Sequence, residues 1–354
     1  MKKKFNLLIT LKLIDRSIEV HMFPIILLES VSKILVVRNT EGPKLNKLDY
    51  ICPPKIISRI PILNIFAKLF LMLYFGKKNR STIVIGYYLL PHGILSFITS
   101  KLLKIPCCIC IIGDIYKHST FPLFGKMLIR ILKKTDYITV TGNKSRNYLI
   151  SKDIPKEKIH ILPNTIDIER FKPIINEKKF DIISLGRLSQ EKRLDIFLKI
   201  ISKLNQSGLV LRVGIVGEGE EKENLVSLSK ELGLEKNVEF IGFKKNVEKY
   251  YQNSKIFILT SEREGLPLTI VEAMSCGIPV ISSNVGDIED IIDDGKNSFL
   301  IDQFDDVDSY VDRIVKLITD EKLYNKFSHE ALKIRDRYSV SNAQKVWLSI
   351  FEGI

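Results

Sequence analysis

Residues 261–280 read Ser261-Glu262-Arg263-Glu264-Gly265-Leu266-Pro267-Leu268-Thr269-Ile270-Val271-Glu272-Ala273-Met274-Ser275-Cys276-Gly277-Ile278-Pro279-Val280. An apolar run at 256–259 precedes them, and a second begins at Pro279. The pattern predicts a strand, a tight turn at Gly265, a helix over 267–276 and a second strand. Pro267 suits the first helical turn, and Gly277 suits the residue just past the end. Unpaired N–H groups at that helix start form a ready anion site, sized for a diphosphate. Glu264 precedes the helix and Glu272 is expected about two turns inside it. Two carboxylates beside an anion site make sense if each accepts hydrogen bonds from hydroxyl groups, which a nucleotide sugar supplies on its sugar and its ribose.

The same strand–helix alternation extends in both directions. Downstream of Phe180, strands are predicted at 181–185, 210–216, 238–241, 256–259 and 279–282, with helices at 193–204, 221–232, 267–276 and 305–319. Upstream, strands are predicted at 6–11, 34–38, 82–87, 106–112 and 137–141, with helices at 93–103 and 124–133. Such alternation argues for parallel sheets covered by helices, in two series. At 354 residues the chain is long enough for two cores. A boundary falls near Phe171-Lys172-Pro173. The expected class is therefore α/β: two Rossmann-like domains, 1–172 and 173–340, facing one another across a cleft, with a last segment, 341–354, carrying Trp347. Ligands of such sheets bind at the carboxyl ends of the strands.

Two further elements bear on chemistry. Ser184-Leu185-Gly186-Arg187-Leu188-Ser189-Gln190-Glu191-Lys192 leaves a strand through a turn into a helix. An Arg fork and a Lys point charge there suit a diphosphate leaving group, although taken alone the element reads equally as a solvated turn. Val216-Gly217-Glu218-Gly219-Glu220-Glu221-Lys222 lacks the third glycine of a dinucleotide fingerprint, and its acidic residues would repel a pyrophosphate. It reads as a turn that shapes the site.

At these elements together the second half resembles the retaining glycosyltransferases of family 4, glycosyl transferases group 1, which have the GT-B fold. The residues carrying the resemblance are Gly186-Arg187-Leu188 with Glu191-Lys192, Val216-Gly217-Glu218-Gly219, and Phe240-Ile241-Gly242-Phe243. Glu264 and Glu272 flanking the helix start, Gly277-Ile278-Pro279-Val280-Ile281 and Gly286 complete the set. The resemblance runs from about Tyr137 to the end. Pro163-Asn164-Thr165 looks like the interdomain strand end, with Thr165 where the family usually has Gly. The last helix looks like the segment that crosses back to the first domain.

The resemblance implies a retaining, metal-independent hexosyltransferase that uses a UDP- or GDP-sugar and no cofactor. Arg187 and Lys192 would neutralise the leaving diphosphate, and Glu264 would lie near the donor sugar with Gly265, Leu266, Pro267 and Leu268 beside it. Glu272 would bind the ribose, and Gly186 and Gly217 would line the donor site. The first half departs from the family: Ile112 stands where a His is usual, leaving Asp114 or His118 as candidate acceptor contacts. Each is equally a local cap or packing residue. The acceptor implied is lipid-linked or a surface polysaccharide. A nucleotide-sugar epimerase of the same fold and a non-catalytic scaffold are the alternatives.

Charge adds a partner. Residues 1–172 carry 29 Lys and Arg against 11 Asp and Glu, or +18, while residues 173–354 carry 25 against 30, or −5. One basic half points to a negatively charged partner, for which nucleic acid, anionic lipid and an acidic acceptor all qualify. No helix-turn-helix or interleaved aromatic pattern supports nucleic acid. The stretch 60–80 mixes apolar residues with Lys77, Lys78 and Arg80 and suits an anionic membrane surface; the alternative is that Phe66, Leu69, Phe70 and Leu73 pack the core. Its apolar part, Ile60 to Phe75, is too short and too interrupted, by Pro61, Asn64 and Lys68, to span a membrane, and the basic start has too short an apolar core for a signal peptide. The expected location is cytoplasmic, peripheral at the inner face of the cell membrane. Cys107, Cys108 and Cys110 lack a paired CxxC or nearby His and read as buried thiols, so no metal is expected. Asp305-Asp306-Val307-Asp308 reads as a capped helix start.

Overall fold

The computed structural model describes residues 3–13, 15–112 and 122–354. The chain divides into two units, residues 1–165 with 340–354 and residues 166–339. The segment 166–172 therefore lies with the second unit, seven residues earlier than the proline-marked boundary. Ile166 is tied there by its N–H to the Tyr338 carbonyl.

In the first unit the strands are β1 (Phe5–Thr10), β2 (Val31–Val37), β3 (Leu48–Ile51), β4 (Ile83–Tyr87), β5 (Cys107–Cys110), β6 (Tyr137–Val140) and β7 (Ile159–Ile161). They form one sheet in the order β3-β2-β1-β4-β5-β6-β7, with every neighbouring pair parallel. β4 and β5 are buried throughout, which is why they read as continuous apolar runs and not as alternating ones. Cys107 packs on one face, and Cys108 and Cys110 pack on the other. Burial pushes the Cys107 thiol up to about 12. The helix Val340–Glu352 also belongs to this unit. Its Trp347 is fully buried in the β1–β2 core, and Phe351 stacks on Phe5 with ring centroids 4.8 Å apart.

In the second unit β8 (Phe180–Leu185), β9 (Val213–Val216), β10 (Val238–Gly242), β11 (Ser254–Leu259), β12 (Val280–Ser283) and β13 (Phe299–Ile301) form a second parallel sheet. Its order is β10-β9-β8-β11-β12-β13. The chain order reverses between β8 and β11, so the loops leaving those two strands diverge and open a crevice at their carboxyl ends. In the first sheet the corresponding point is between β1 and β4.

The helix at 305–319 starts as expected from its acidic run. Asp306 caps Val307–Thr319, accepting from the Ser309 N–H at 3.1 Å and from its hydroxyl at 2.7 Å. No described helix is long and apolar enough to cross a membrane.

Helix Pro61–Lys78 separates the two readings of 60–80. Its buried residues are Lys68, Met72 and Gly76, one row at every fourth position. Leu69 packs partly against the core. Ile62, Phe66, Phe70 and Tyr74 form another row, and it is exposed: Phe66 keeps 64% of its surface and Phe70 keeps 67%. Core packing therefore accounts for Leu69 but not for the two phenylalanines.

Candidate donor site

The two loops that flank the β8/β11 switch point are tied to each other through the backbone. After β8 the chain turns through Gly186, Arg187 and Leu188 into a short turn at Gln190–Lys192, then enters helix Leu194–Gln206. After β11 comes 260–267. The Thr260 hydroxyl donates to the Lys192 and Arg193 carbonyls at 3.1 and 3.0 Å, and the Glu262 N–H donates to the Glu191 carbonyl at 2.9 Å. The Ser283 hydroxyl, on β12, holds the Ser261 carbonyl at 2.6 Å.

These ties bring Lys192 and Glu264, 72 residues apart, into an ion pair. Both side chains are mostly buried, at 20% and 11% exposure. Ser261 donates to the same Glu264 oxygen at 2.7 Å. Arg187 is exposed on the adjoining turn. Gly186, Arg187 and Lys192 line one small cavity with Ser184. Burial would raise the Glu191 carboxyl, but the Ser189 hydrogen bond, its own backbone and the charges of Lys192 and Arg187 hold it below the usual range. The two cations therefore act on one place.

Helix Leu268–Ser275 begins one residue later than the sequence pattern predicts, because Pro267 has ψ 122° and stands outside it as the N-cap. Pro267 has no N–H to give, so Leu268 and Thr269 carry the first helical donors. The Thr269 hydroxyl is buried there with no hydrogen-bond partner among the described residues. Glu272 lies four residues after Leu268, about one turn inside the helix and not the expected two. It is 3% exposed, and the buried Tyr251 hydroxyl donates to its Oε2 at 3.0 Å. Glu264 and Glu272 thus sit at different depths: one at the turn with a lysine, the other under the helix with a tyrosine.

Two glycines set the spacing. A β-carbon on Gly217, whose φ is +151°, would lie 1.8 Å from the Gly186 carbonyl oxygen. One on Gly286, φ +62°, would lie 2.3 Å from the Gly265 carbonyl oxygen, which also accepts from the Asp287 N–H at 2.8 Å. The turns after β9 and β12 therefore buttress the turns after β8 and β11. Ser261 stood inside the quoted motif without a role, and Thr269 likewise. Tyr251 lies outside every motif, 21 residues before Glu272, and no local spacing signals it. Asp114 and His118, the candidate acceptor contacts, lie outside the described residues. Among the described residues no His, Cys, Asp and Glu cluster suits a metal ion.

Residues 165–334 match the family model described as Glycosyl transferases group 1. An Escherichia coli protein, UDP-Gal:alpha-D-GlcNAc-diphosphoundecaprenol alpha-1,3-galactosyltransferase, is 26% identical over 74% of this chain and 72% of its own. A Staphylococcus aureus protein, poly(ribitol-phosphate) alpha-N-acetylglucosaminyltransferase, is 25% identical over 62% of this chain and 47% of its own. Among solved structures, Anabaena HepE in complex with UDP and glucose superposes with a TM-score of 0.82 at 16% identity, covering 99% of this chain and 100% of that one.

Proposed function

We propose that this chain, a group 1 glycosyltransferase with the GT-B fold, moves a hexose from a UDP- or GDP-sugar to a lipid-linked or surface-polysaccharide acceptor with retention of anomeric configuration. The observation that carries the reading is the Lys192–Glu264 pair beside Arg187 at the β8/β11 switch point. A cationic pair at a strand end, next to a helix start, suits a diphosphate, and a carboxylate held within the same turn suits the sugar attached to it.

In this reading the bond between the sugar's anomeric carbon and the diphosphate breaks, and the diphosphate keeps the electron pair. Arg187, Lys192 and the N–H groups of Leu268 and Thr269 stabilise the charge that develops there. The acceptor hydroxyl bonds to the anomeric carbon on the face the diphosphate leaves, and its proton passes to a diphosphate oxygen. Glu264 takes sugar hydroxyls, and Glu272, steadied by Tyr251, takes those of the ribose. Retention and metal independence rest on the family resemblance. The relatives' names support a carrier- or polymer-linked acceptor.

The first unit serves as the membrane-facing side. Its excess of +18, and the exposed row Ile62, Phe66, Phe70 and Tyr74 ending at Lys77 and Lys78, match an apolar face with a cationic rim that lies on an anionic bilayer. The chain is thereby a peripheral protein of the cytoplasmic face.

Thermal-shift screening of the purified chain against nucleotide sugars tests the donor. One UDP- or GDP-sugar should stabilise it, and NMR of the transfer product should show the donor's anomeric configuration. An inverted product, or no stabilisation by any nucleotide sugar, rejects the reading. Epimerisation of a free nucleotide sugar with no acceptor present would favour the alternative enzyme.

A further inference from the structure

Lys68 is an oddity in the first unit. It is 6% exposed, and among the described residues its ammonium has neither a carboxylate nor a hydrogen-bond acceptor. The stem is covered, while the ammonium, which is not among the fully enclosed unpartnered atoms, keeps a narrow opening through which a ligand can reach it. Its neighbours add to the problem. Burial first, then the charges of Lys12 and Arg38, hold the Lys68 ammonium below the usual lysine range. Covering a charge without a partner is unfavourable, so the position asks for a counter-charge that the described residues do not supply.

The surroundings have the form of a ligand site. Lys12 follows β1, Arg38 follows β2 and His92 follows β4, three neighbouring strands whose carboxyl ends meet at the first sheet's switch point. Thr10 and His92 bond across that point, Oγ1 to Nδ1, at 2.8 Å. His92 is pulled down to about 3, by burial first and then by Lys68 and Lys12, so its ring is neutral there and adds no charge. Arg38 is 9% exposed; it donates to the Leu13 carbonyl at 3.2 Å and meets Asp15 at 3.3 Å. Among the described residues Asp15 is the one carboxylate in hydrogen-bond contact with any of these cations, and it reaches Arg38 alone. On the helix face that carries Lys68, Asn64 lies one turn earlier and donates to Asn39, in the loop after β2, at 3.1 Å. That contact orients the Lys68 face toward the strand ends.

We infer that Lys68, Lys12 and Arg38, at the β1/β4 switch point, form a subsite for a phosphate or diphosphate group carried by the acceptor. The inference rests on the reading of the chain as a transferase to a carrier- or polymer-linked acceptor. A dianionic group offers the missing counter-charge to Lys68, a bidentate partner to Arg38 and a further contact to the exposed Lys12. Anchoring the acceptor by its phosphate leaves its sugar or alditol hydroxyl as the reacting end. The subsite therefore selects acceptors by the group next to the reacting residue.

The test uses the full chain saturated with UDP or GDP, whichever the donor screen identifies, so that the donor site is filled. Pyrophosphate is then titrated by calorimetry into wild type, Lys68→Met and Lys12→Glu. Wild type should bind it, each variant should bind at least about tenfold more weakly, and nucleotide affinity should not change. Lys68→Met should also raise Tm, since it removes an unpaired buried charge, whereas a lysine serving structure alone would lower it. In turnover, Lys12→Glu should raise KM for a polyprenyl-diphosphate sugar or for poly(ribitol phosphate), whichever is the acceptor, and leave KM for the dephosphorylated glycan unchanged. Equal pyrophosphate binding by all three proteins, or equal KM effects with and without the phosphate, overturns the inference. Lys68-dependent pyrophosphate binding in a protein that transfers no sugar would instead keep the subsite and reject the transferase reading. Lys12 is exposed, so its variant reads out even if Lys68→Met fails to fold.

Discussion

Gly217 lies so close to Gly186 that a β-carbon on it would come within 1.8 Å of the Gly186 carbonyl oxygen. The turn after β9 thereby sets the height of the turn that carries Arg187. Gly217→Ala combines that collision with a φ of +151°, which only glycine adopts readily. The variant should lose on the order of 1–3 kcal/mol of stability and most of its donor affinity. Denaturant unfolding and nucleotide titration check this, and unchanged affinity would show that the two turns move independently.

Arg187→Ala and Lys192→Ala should each lower kcat by a factor of roughly 100 or more, because each removes charge that stabilises the departing diphosphate. Arg187 is exposed and Lys192 keeps a fifth of its side chain in solvent outside the packed core, so the fold should survive, as far-UV circular dichroism can verify. Near wild-type turnover in either folded variant would rule out its role as a clamp.

Glu264→Gln and Glu272→Gln should separate. The first alters a group in the Lys192 turn and should act mainly on kcat. The second alters a group buried under the helix beside Tyr251 and should act mainly on nucleotide affinity. Calorimetry with the nucleoside diphosphate, which lacks the sugar, distinguishes them: only Glu272→Gln should weaken it. Equal weakening by both would merge the two roles.

Turnover should persist in excess chelator, since Arg187, Lys192 and a helix start supply the positive charge that a divalent ion provides elsewhere. Loss of activity in EDTA, restored by Mg²⁺ or Mn²⁺, would contradict the metal-independent mechanism.

Vesicle sedimentation addresses the exposed row on helix Pro61–Lys78. Phe66→Ser with Phe70→Ser should weaken attachment by removing apolar contact, and reversal of Lys77, Lys78 and Arg80 to Glu should weaken it through charge, at about 1 kcal/mol per residue near an anionic surface. Salt should mimic only the second, because screening acts over about 8 Å at physiological ionic strength. Identical sedimentation with neutral and anionic vesicles would place the acceptor in solution.

The order of strands and helices, the capped starts and the glycine turns were legible in the chain because each depends on neighbours in sequence. Period-3.6 and continuous apolar patterns mark the central elements, and Asp306 caps its helix within three residues. The edge strands β3 and β7 escaped because each buries only one residue and so leaves no continuous apolar run, and β13 because it is only three residues long. What sequence could not decide was contact between distant residues. Lys192 and Glu264 are each visible as charges, but their pairing depends on β8 lying beside β11. Tyr251 reaches Glu272 only because helix Glu248–Gln252 packs beside helix Leu268–Ser275. The apolar pattern of 61–78 is the same whether Phe66 or Lys68 turns inward. Only packing against the first sheet settled that the lysine is buried and the phenylalanine exposed, because a helix's rotation is set by what it meets and not by its own hydrophobicity.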